Sequence, residues 1–181
     1  MKRVFQVFLV AFALFVFSGC GSKGLKNPNL PVTKQVNLVD FNVTYIARHT
    51  PKDGLYHTPE EIKSLIKEKV ISLLEEKNLL TTDENADILN IDSSYDRVFF
   101  GDQTPIKLDK IGLPNVGYAL YVYNNNETLL RTYSSDWFNP YENSFFKDLK
   151  GAFGGFTIEE EKGFIEYFSN AMANGIENLL K

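Results

Sequence analysis

The chain has 181 residues, with 19 Lys and Arg against 23 Asp and Glu, so its net charge at pH 7 is −4. This mildly acidic balance argues against nucleic acid as a partner and against a polybasic patch for lipid headgroups. The length suits a single domain with its own core, and the single cysteine excludes an internal disulfide.

The first nineteen residues have the three parts of a secretory signal. A basic start is followed by an apolar run over residues 4–17 and by the small residues Ser18 and Gly19 of a cleavage site. The apolar run is short for an uncleaved anchor, since a spanning helix needs roughly 20 residues. The alternative is a plain secretory signal, which would leave Cys20 as a lone thiol in an oxidising compartment.

The sequence Ser18-Gly19-Cys20 resembles the lipobox of bacterial lipoproteins, although Phe17 stands where Leu is more usual. In that class the signal is removed before the cysteine, whose thiol is diacylated and whose amine is acylated. The resemblance therefore implies that Cys20 is lipidated and that the lipid is the membrane anchor. Gly21 is not the Asp that retains lipoproteins at the inner membrane. The resemblance thus implies a lipid-anchored outer-membrane location, with the domain facing the periplasm.

These features divide the chain into three parts. Residues 1–19 are the predicted signal peptide, and residues 20–31 are the acylated cysteine with a flexible tether. The tether is predicted because Gly, Ser, Asn and Pro dominate it and no periodicity is present. Residues 32–181 are predicted to form a single periplasmic α+β domain.

The first predicted element is a strand over residues 32–46. Its apolar residues alternate with polar ones, as expected of a sheet with one buried face. The alternating set is Val39, Phe41, Val43 and Tyr45. Val36 and Leu38 have the opposite parity, so the sequence predicts a β-bulge or a change of face near Leu38.

Two helices are predicted, over residues 58–78 and 157–180. Each begins with a capping box, Thr58 with Glu61 and Thr157 with Glu160, in which the side chains satisfy free amides of the first turn. Apolar residues then recur at helical spacing. In the second helix this stripe is Phe164, Phe168, Ala171, Met172, Gly175, Ile176 and Leu179.

Three further strands are predicted over residues 86–100, 116–123 and 128–137. The last two form an antiparallel hairpin across residues 124–127, because asparagines tolerate the left-handed conformations that such turns need. The order of elements is β-α-β-β-β-α. It predicts an α+β two-layer sandwich, with both helices on one face of a mainly antiparallel four-stranded sheet.

Candidate catalytic and metal groups are few. His49, Asp53 and His57 lie in one loop, but their spacing matches no metal-ligand motif, and solvated loop histidines are the favoured interpretation. Asp92 and Asp96 are interpreted as part of a polar sheet face rather than as an acid–base pair. No nucleophile motif can be assembled. The sequence therefore predicts no enzyme, no metal and no cofactor.

An aromatic-rich segment follows the last strand. It is either a lid that packs over the open face of the sheet or a contact surface for a protein partner or an acyl chain. The candidate binding surface consists of Trp137, Phe138, Tyr141, Phe145, Phe146, Phe153 and Phe156.

The lipobox, the tether and the order of elements together resemble small envelope lipoproteins of Gram-negative bacteria. Examples are the lipopolysaccharide-assembly lipoprotein, the N-terminal domain of TolB and the lipoproteins that activate cell-wall synthases. The resemblance implies a non-enzymatic binding or assembly subunit at the outer membrane, with an envelope protein as its partner. The alternative is a lipoprotein that binds a small molecule or lipid on the sheet face beneath the aromatic segment.

Overall fold

A computed structural model of the protein describes residues 29–48, 50, 56–100, 108, 110–138 and 155–181, without the side chains of residues 136–138. It contains six elements in the order β-α-β-β-β-α. They are β1 (Val36–Ala47), α1 (Pro59–Glu76), β2 (Asp87–Arg97), β3 (Asn115–Tyr123), β4 (Leu129–Phe138) and α2 (Ile158–Leu179).

The four strands form one sheet in the order β1-β2-β3-β4. β1 runs parallel to β2, and the connection between them contains α1, as a parallel crossover requires. β2, β3 and β4 are successively antiparallel. The predicted α+β sandwich with a mainly antiparallel sheet is confirmed.

Both helices cover the same face of the sheet and pack against each other. Burial of this one apolar face supplies most of the driving force for folding. The strands contribute Val36, Phe41, Val43, Leu89, Ile91, Tyr95, Val116, Tyr118, Leu120 and Val122 to the core, and the helices contribute Ile62, Ile66, Val70, Leu74, Ile165, Phe168, Met172, Ala173 and Ile176.

The predicted β-bulge is present in β1. The register with β2 shifts between Leu38 and Asp40, which leaves Val39 as the extra residue. Val39 is 61% exposed, whereas Phe41 and Val43 are buried. The extra residue lets side chains of opposite parity before and after the bulge point to the same face, so Val36 and Phe41 lie in the same core cluster.

Both predicted capping boxes are present. The Thr58 hydroxyl accepts from the Glu61 amide, and the Glu61 carboxylate accepts from the Thr58 amide. The Thr157 and Glu160 pair is identical in pattern. These local bonds explain why the helix starts could be predicted to within one residue.

The β3–β4 turn differs in detail from the prediction. The residue with positive φ is Glu127, at 59°, rather than one of the asparagines. Asn124 contributes through its side chain instead, because its Oδ1 accepts from the amides of Asn126 and Thr128. The asparagine stabilises the turn by replacing a backbone acceptor.

Candidate functional site

The N-terminal segment of the domain is fixed to the sheet before β1 begins. The Leu30 amide donates to Leu130 O over 3.3 Å, and Arg131 Nε donates to Leu30 O over 2.9 Å. Arg131 Nη1 also donates to Leu179 O at the end of α2, over 2.6 Å. One arginine of β4 thus joins the incoming chain to the last turn of the C-terminal helix.

The segment then crosses one end of the sheet towards β1. The Thr33 amide and hydroxyl both donate to the carboxylate of Asp87, over 2.7 and 3.1 Å, at the start of β2. Gln35 Nε2 donates to Asn78 O just after α1. We call this end, which holds residues 29–36, 77–87, 123–129 and 179–181, the tether end.

The opposite end of the domain is the loop end. It holds the last residues of β1, β2 and β4, the first residues of β3 and the N-termini of both helices. The connections from β1 to α1, from β2 to β3 and from β4 to α2 therefore all start and finish there.

The candidate aromatic surface is only partly described. Trp137 and Phe138 form the end of β4, at the loop end. Phe156 is buried, pairs with Ile111 through the backbone and packs edge-on against Phe164 at a centroid distance of 4.7 Å. At 4% exposure, Phe156 offers almost no area to a partner. The other four members of this surface, Tyr141, Phe145, Phe146 and Phe153, lie outside the described residues. The predicted lipidation site, Cys20, lies outside them as well.

A buried ion pair lies beneath the loop end, and the sequence interpretation missed it. Arg97 of β2 and Glu161 of α2 are 2% and 0% exposed. Glu161 Oε1 accepts from Arg97 Nε over 2.7 Å and lies 2.6 Å from Nη2. The Arg97 guanidinium also stands over the rings of Tyr45 and Tyr56, at 5.4 and 5.9 Å from their centroids.

The ion pair also holds the chain that enters α1. Arg97 Nη2 donates to His57 O over 2.7 Å, and the His57 amide donates to Glu161 Oε2 over 3.4 Å. Because His57 precedes the capping residue Thr58, the pair joins β2, α2 and the start of α1. These contacts give Arg97 and Glu161 a structural role.

Burial dominates the electrostatics of this cluster. It raises the pKa of the Glu161 carboxyl above its ordinary value, and the adjacent Arg97 guanidinium opposes that rise. Burial also raises the pKa of the Tyr95 hydroxyl well above its usual range, and the Glu161 carboxylate adds to this effect.

His57 corrects one prediction. We expected solvated loop histidines, but His57 is partly buried, and its Nε2 is a buried atom without a hydrogen-bond partner among the described residues. His49 and Asp53 lie outside those residues. Within the described ranges, no three His, Cys, Asp or Glu side chains come close enough to hold a metal ion.

The face of the sheet away from the helices is polar near β1 and β2. We call this surface the open face; its side chains follow the strand register. It consists of Asp40, Asn42, Thr44 and Ile46 of β1, Asn90, Asp92, Ser94 and Asp96 of β2, Asn115, Gly117, Ala119 and Tyr121 of β3, and Thr132 and Ser134 of β4. Three members are carboxylates, and none of these fourteen described residues is Lys or Arg. A shallow depression of about 340 Å³ lies over its centre.

The outer edge of β1 borders the open face. Among the described residues it is paired only at Val36, whose amide donates to Leu79 O and whose carbonyl accepts from the Thr81 amide. Asp40, Asn42, Thr44 and Ile46 are all exposed along this strand.

Glu177 joins the two helices at the tether end. Its carboxylate contacts Lys77 and Lys181 at 2.7 and 2.8 Å, and hydrogen bonds and charge from Lys181 and then Lys77 lower its pKa to about 2. A carboxyl with a depressed pKa in the folded state stabilises the protein above its unfolded pKa and loses that contribution as pH falls.

We therefore expect Glu177→Gln to unfold at a lower urea concentration than the parent at pH 7. The difference should shrink as pH falls from the ordinary carboxyl range towards 2. Urea midpoints of both proteins across this range measure the effect. If the difference in urea midpoint stayed constant with pH, the destabilisation would come from packing and not from the charge of Glu177.

In the described part of the chain, no helix is long and apolar enough to cross a membrane.

No protein-family model matches the chain, and no curated protein does. Among solved structures, a minor lipoprotein from Acinetobacter baumannii is 9% identical with a TM-score of 0.38, and covers 75% of this chain and 91% of its own. A homologue of neuraminyllactose-binding hemagglutinin from Helicobacter pylori is 11% identical with a TM-score of 0.36, covering 87% and 91%. The PelC dodecamer from Paraburkholderia phytofirmans is 12% identical with a TM-score of 0.26, covering 79% and 92%. At TM-scores this low the likeness supports no functional inference.

Proposed function

We propose that this protein is a lipid-anchored, non-enzymatic lipoprotein of the bacterial envelope. Its α+β domain acts as a binding or assembly accessory subunit for an envelope protein at the outer membrane, on the periplasmic side. The observation that carries the proposal is the position of Cys20, directly after Ser18 and Gly19 at the end of a signal-like segment.

The geometry of the domain supports an anchored role. Leu30 is already held by Leu130 and Arg131, so only residues 21–29 separate Cys20 from the folded domain. Fully extended, that segment spans about 30 Å. The domain is then held near the membrane with its tether end closest to the anchor, and tethering raises its effective concentration for a partner in the same membrane.

The open face favours a protein partner over an acyl chain. Sites for apolar ligands are lined mainly by hydrophobic side chains. The depression on the open face is lined instead by residues such as Asn42, Thr44, Asp92 and Ser94. The aromatic segment stays a candidate contact surface.

Crosslinking in cells tests the proposal. The acylated chain, crosslinked chemically in its source bacterium and purified, should carry one dominant envelope protein, as identified by mass spectrometry. A Cys20→Ser chain expressed at equal level should recover much less of it, because tethering is lost. Recovery of no dominant protein would contradict the proposal.

Two further experiments test the ligand-binding alternative and the role of the aromatic segment. Native mass spectrometry of the purified domain should give the mass of the bare chain, whereas a bound small molecule or lipid would favour the ligand-binding alternative. Phe145→Ser combined with Phe146→Ser should lower partner recovery if the aromatic segment is the contact surface. Unchanged recovery by a folded variant would remove that segment from the proposal.

A further inference from the structure

We infer that the outer edge of β1, from Asp40 to Ala47, is the docking site for an extended, basic segment of the partner protein. That segment adds to the sheet as a fifth strand beside β1. The inference rests on the proposed function, which it deepens by naming the surface and the chemistry of the partner.

Among the described residues, this edge of β1 has little protection against pairing with another chain. Edge strands are usually short, or carry Lys, Pro or a bulge, which prevent pairing with other chains. β1 is 12 residues long, contains neither Lys nor Pro, and has Asp40 as its single charge. Its bulge at Val39 and its pairing at Val36 protect only the tether end of the strand. In the part of the chain that the structure describes, nothing pairs with the stretch after the bulge, so this edge can accept a strand.

That stretch of β1 also has the capacity to form hydrogen bonds with an added strand. Alternate amide and carbonyl groups of a strand point to opposite sides, and β2 uses only those on its own side. The others, between Asp40 and Ala47, face away from the sheet. An added strand gains affinity from such main-chain groups and specificity from its alternate side chains.

The charge of the open face determines which kind of segment fits beside β1. A strand beside β1 places every second side chain on the open face, next to Asn42 and Thr44. Asp92 is the register partner of Asn42 and lies about 10 Å from the added strand, two strand spacings away. Asp40 lies on β1 itself, one strand spacing from the added strand and within reach of an extended Lys or Arg, and Asp92 and Asp96 add acidic charge one strand further on. Charge complementarity therefore favours a basic segment.

The same charges disfavour a second copy of this chain. Two copies joined through β1 would form one continuous sheet with six carboxylates from Asp40, Asp92 and Asp96 on its faces, and each copy without the signal residues 1–19, which hold Lys2 and Arg3, has a net charge of −6. Repulsion between like charges makes this pairing less favourable than pairing with a basic segment.

Site-specific photocrosslinking of the full-length, acylated chain in its source bacterium tests the inference. The probe is p-benzoylphenylalanine, placed at exposed Thr44 of β1 or, as the control, at exposed Ser72 of α1. We expect a protein adduct at Thr44 and none at Ser72. Mass spectrometry of the adduct should map a partner peptide with Lys or Arg at alternate positions.

Two sets of variants test the edge and the charge separately. Asp40→Asn with Asp92→Asn should lower the Thr44 adduct about fivefold, as expected for two exposed charge pairs. The matched control, Glu75→Gln with Glu76→Gln on α1, should leave it unchanged. Ile46→Lys should abolish the adduct, since it adds a charge to the edge, and its urea midpoint should show that the domain stays folded.

Several outcomes would overturn the inference. They are an adduct with a second copy of the chain, a partner peptide without basic residues, or a yield insensitive to the Asp40 and Asp92 changes. If the probe at Thr44 gave no adduct but a probe at Tyr121 or Tyr167 captured a partner, this inference would be overturned and the proposed function would stand. Silence at every position would contradict both.

Discussion

Replacing Arg97 with Ala should lower the free energy of unfolding by about 3–5 kcal/mol. The change leaves the Glu161 carboxylate buried without its counter-charge and removes the donor to His57 O. Urea denaturation at pH 7, followed by circular dichroism, measures the loss. Lys162→Ala, at an exposed position next to Glu161, is the matched control and should stay within about 0.5 kcal/mol of the parent.

A double variant distinguishes charge from packing at this site. Arg97→Met with Glu161→Leu removes both charges while keeping much of the volume, so it should be less destabilised than Arg97→Ala alone. A loss below about 1 kcal/mol for Arg97→Ala would contradict a structural ion pair. If the double variant lost as much free energy of unfolding as Arg97→Met and Glu161→Leu lose together when measured singly, the two residues would not be coupled.

Replacing Cys20 with Ser should move the protein from the membrane fraction to the soluble fraction. The proposed acylation needs the thiol, and the lipid is the proposed anchor, since stable membrane attachment takes more than one acyl chain. Fractionation and immunoblotting after expression at equal level measure the change.

Gly21→Asp is the matched control for Cys20→Ser. It keeps the thiol, so the protein should stay in membranes, but it introduces the residue associated with retention at the inner membrane. Separation of the two membranes on a density gradient should show a shift from outer to inner. A Cys20→Ser protein that stays membrane-bound would contradict the lipid anchor.

The elements that could be predicted are those whose signals are local. Thr58 and Thr157 each fix a helix start through a side chain three residues away. The conflict in parity between Leu38 and Val39 predicts the bulge, because a strand has a strict period of two. The same periodicity, together with two amphipathic helices, predicts the two-layer sandwich.

The features that were missed depend on pairs distant in sequence. Glu161 lies three residues before Phe164 on the buried stripe of α2, and Arg97 is in phase with Tyr95 on the buried face of β2. Taken alone, Arg97 looks like a solvated residue at the end of β2, and Glu161 looks like one at the start of α2. Each is buried because the other, 64 residues away, supplies its counter-charge. A charged residue in phase with a buried stripe is the signal that points to such a pair.

The face opposite the helices illustrates the same limit. Its acidic character depends on Asp40, Asp92 and Asp96 sharing one surface across two strands, and this follows from the register rather than from local sequence. Because β2 pairs with β1 on one side and with β3 on the other, β1 is an edge strand of the described sheet. Neither property can be derived from the pattern within one strand.

The most direct test of the account is the chemical identity of the mature N-terminus. The chain should be purified from membranes of its source bacterium with detergent, digested, and its N-terminal peptide analysed by mass spectrometry. We expect a peptide that begins at Cys20 and carries acyl groups on its thiol and its amine. A peptide that begins at another residue, or an unmodified Cys20, would contradict it.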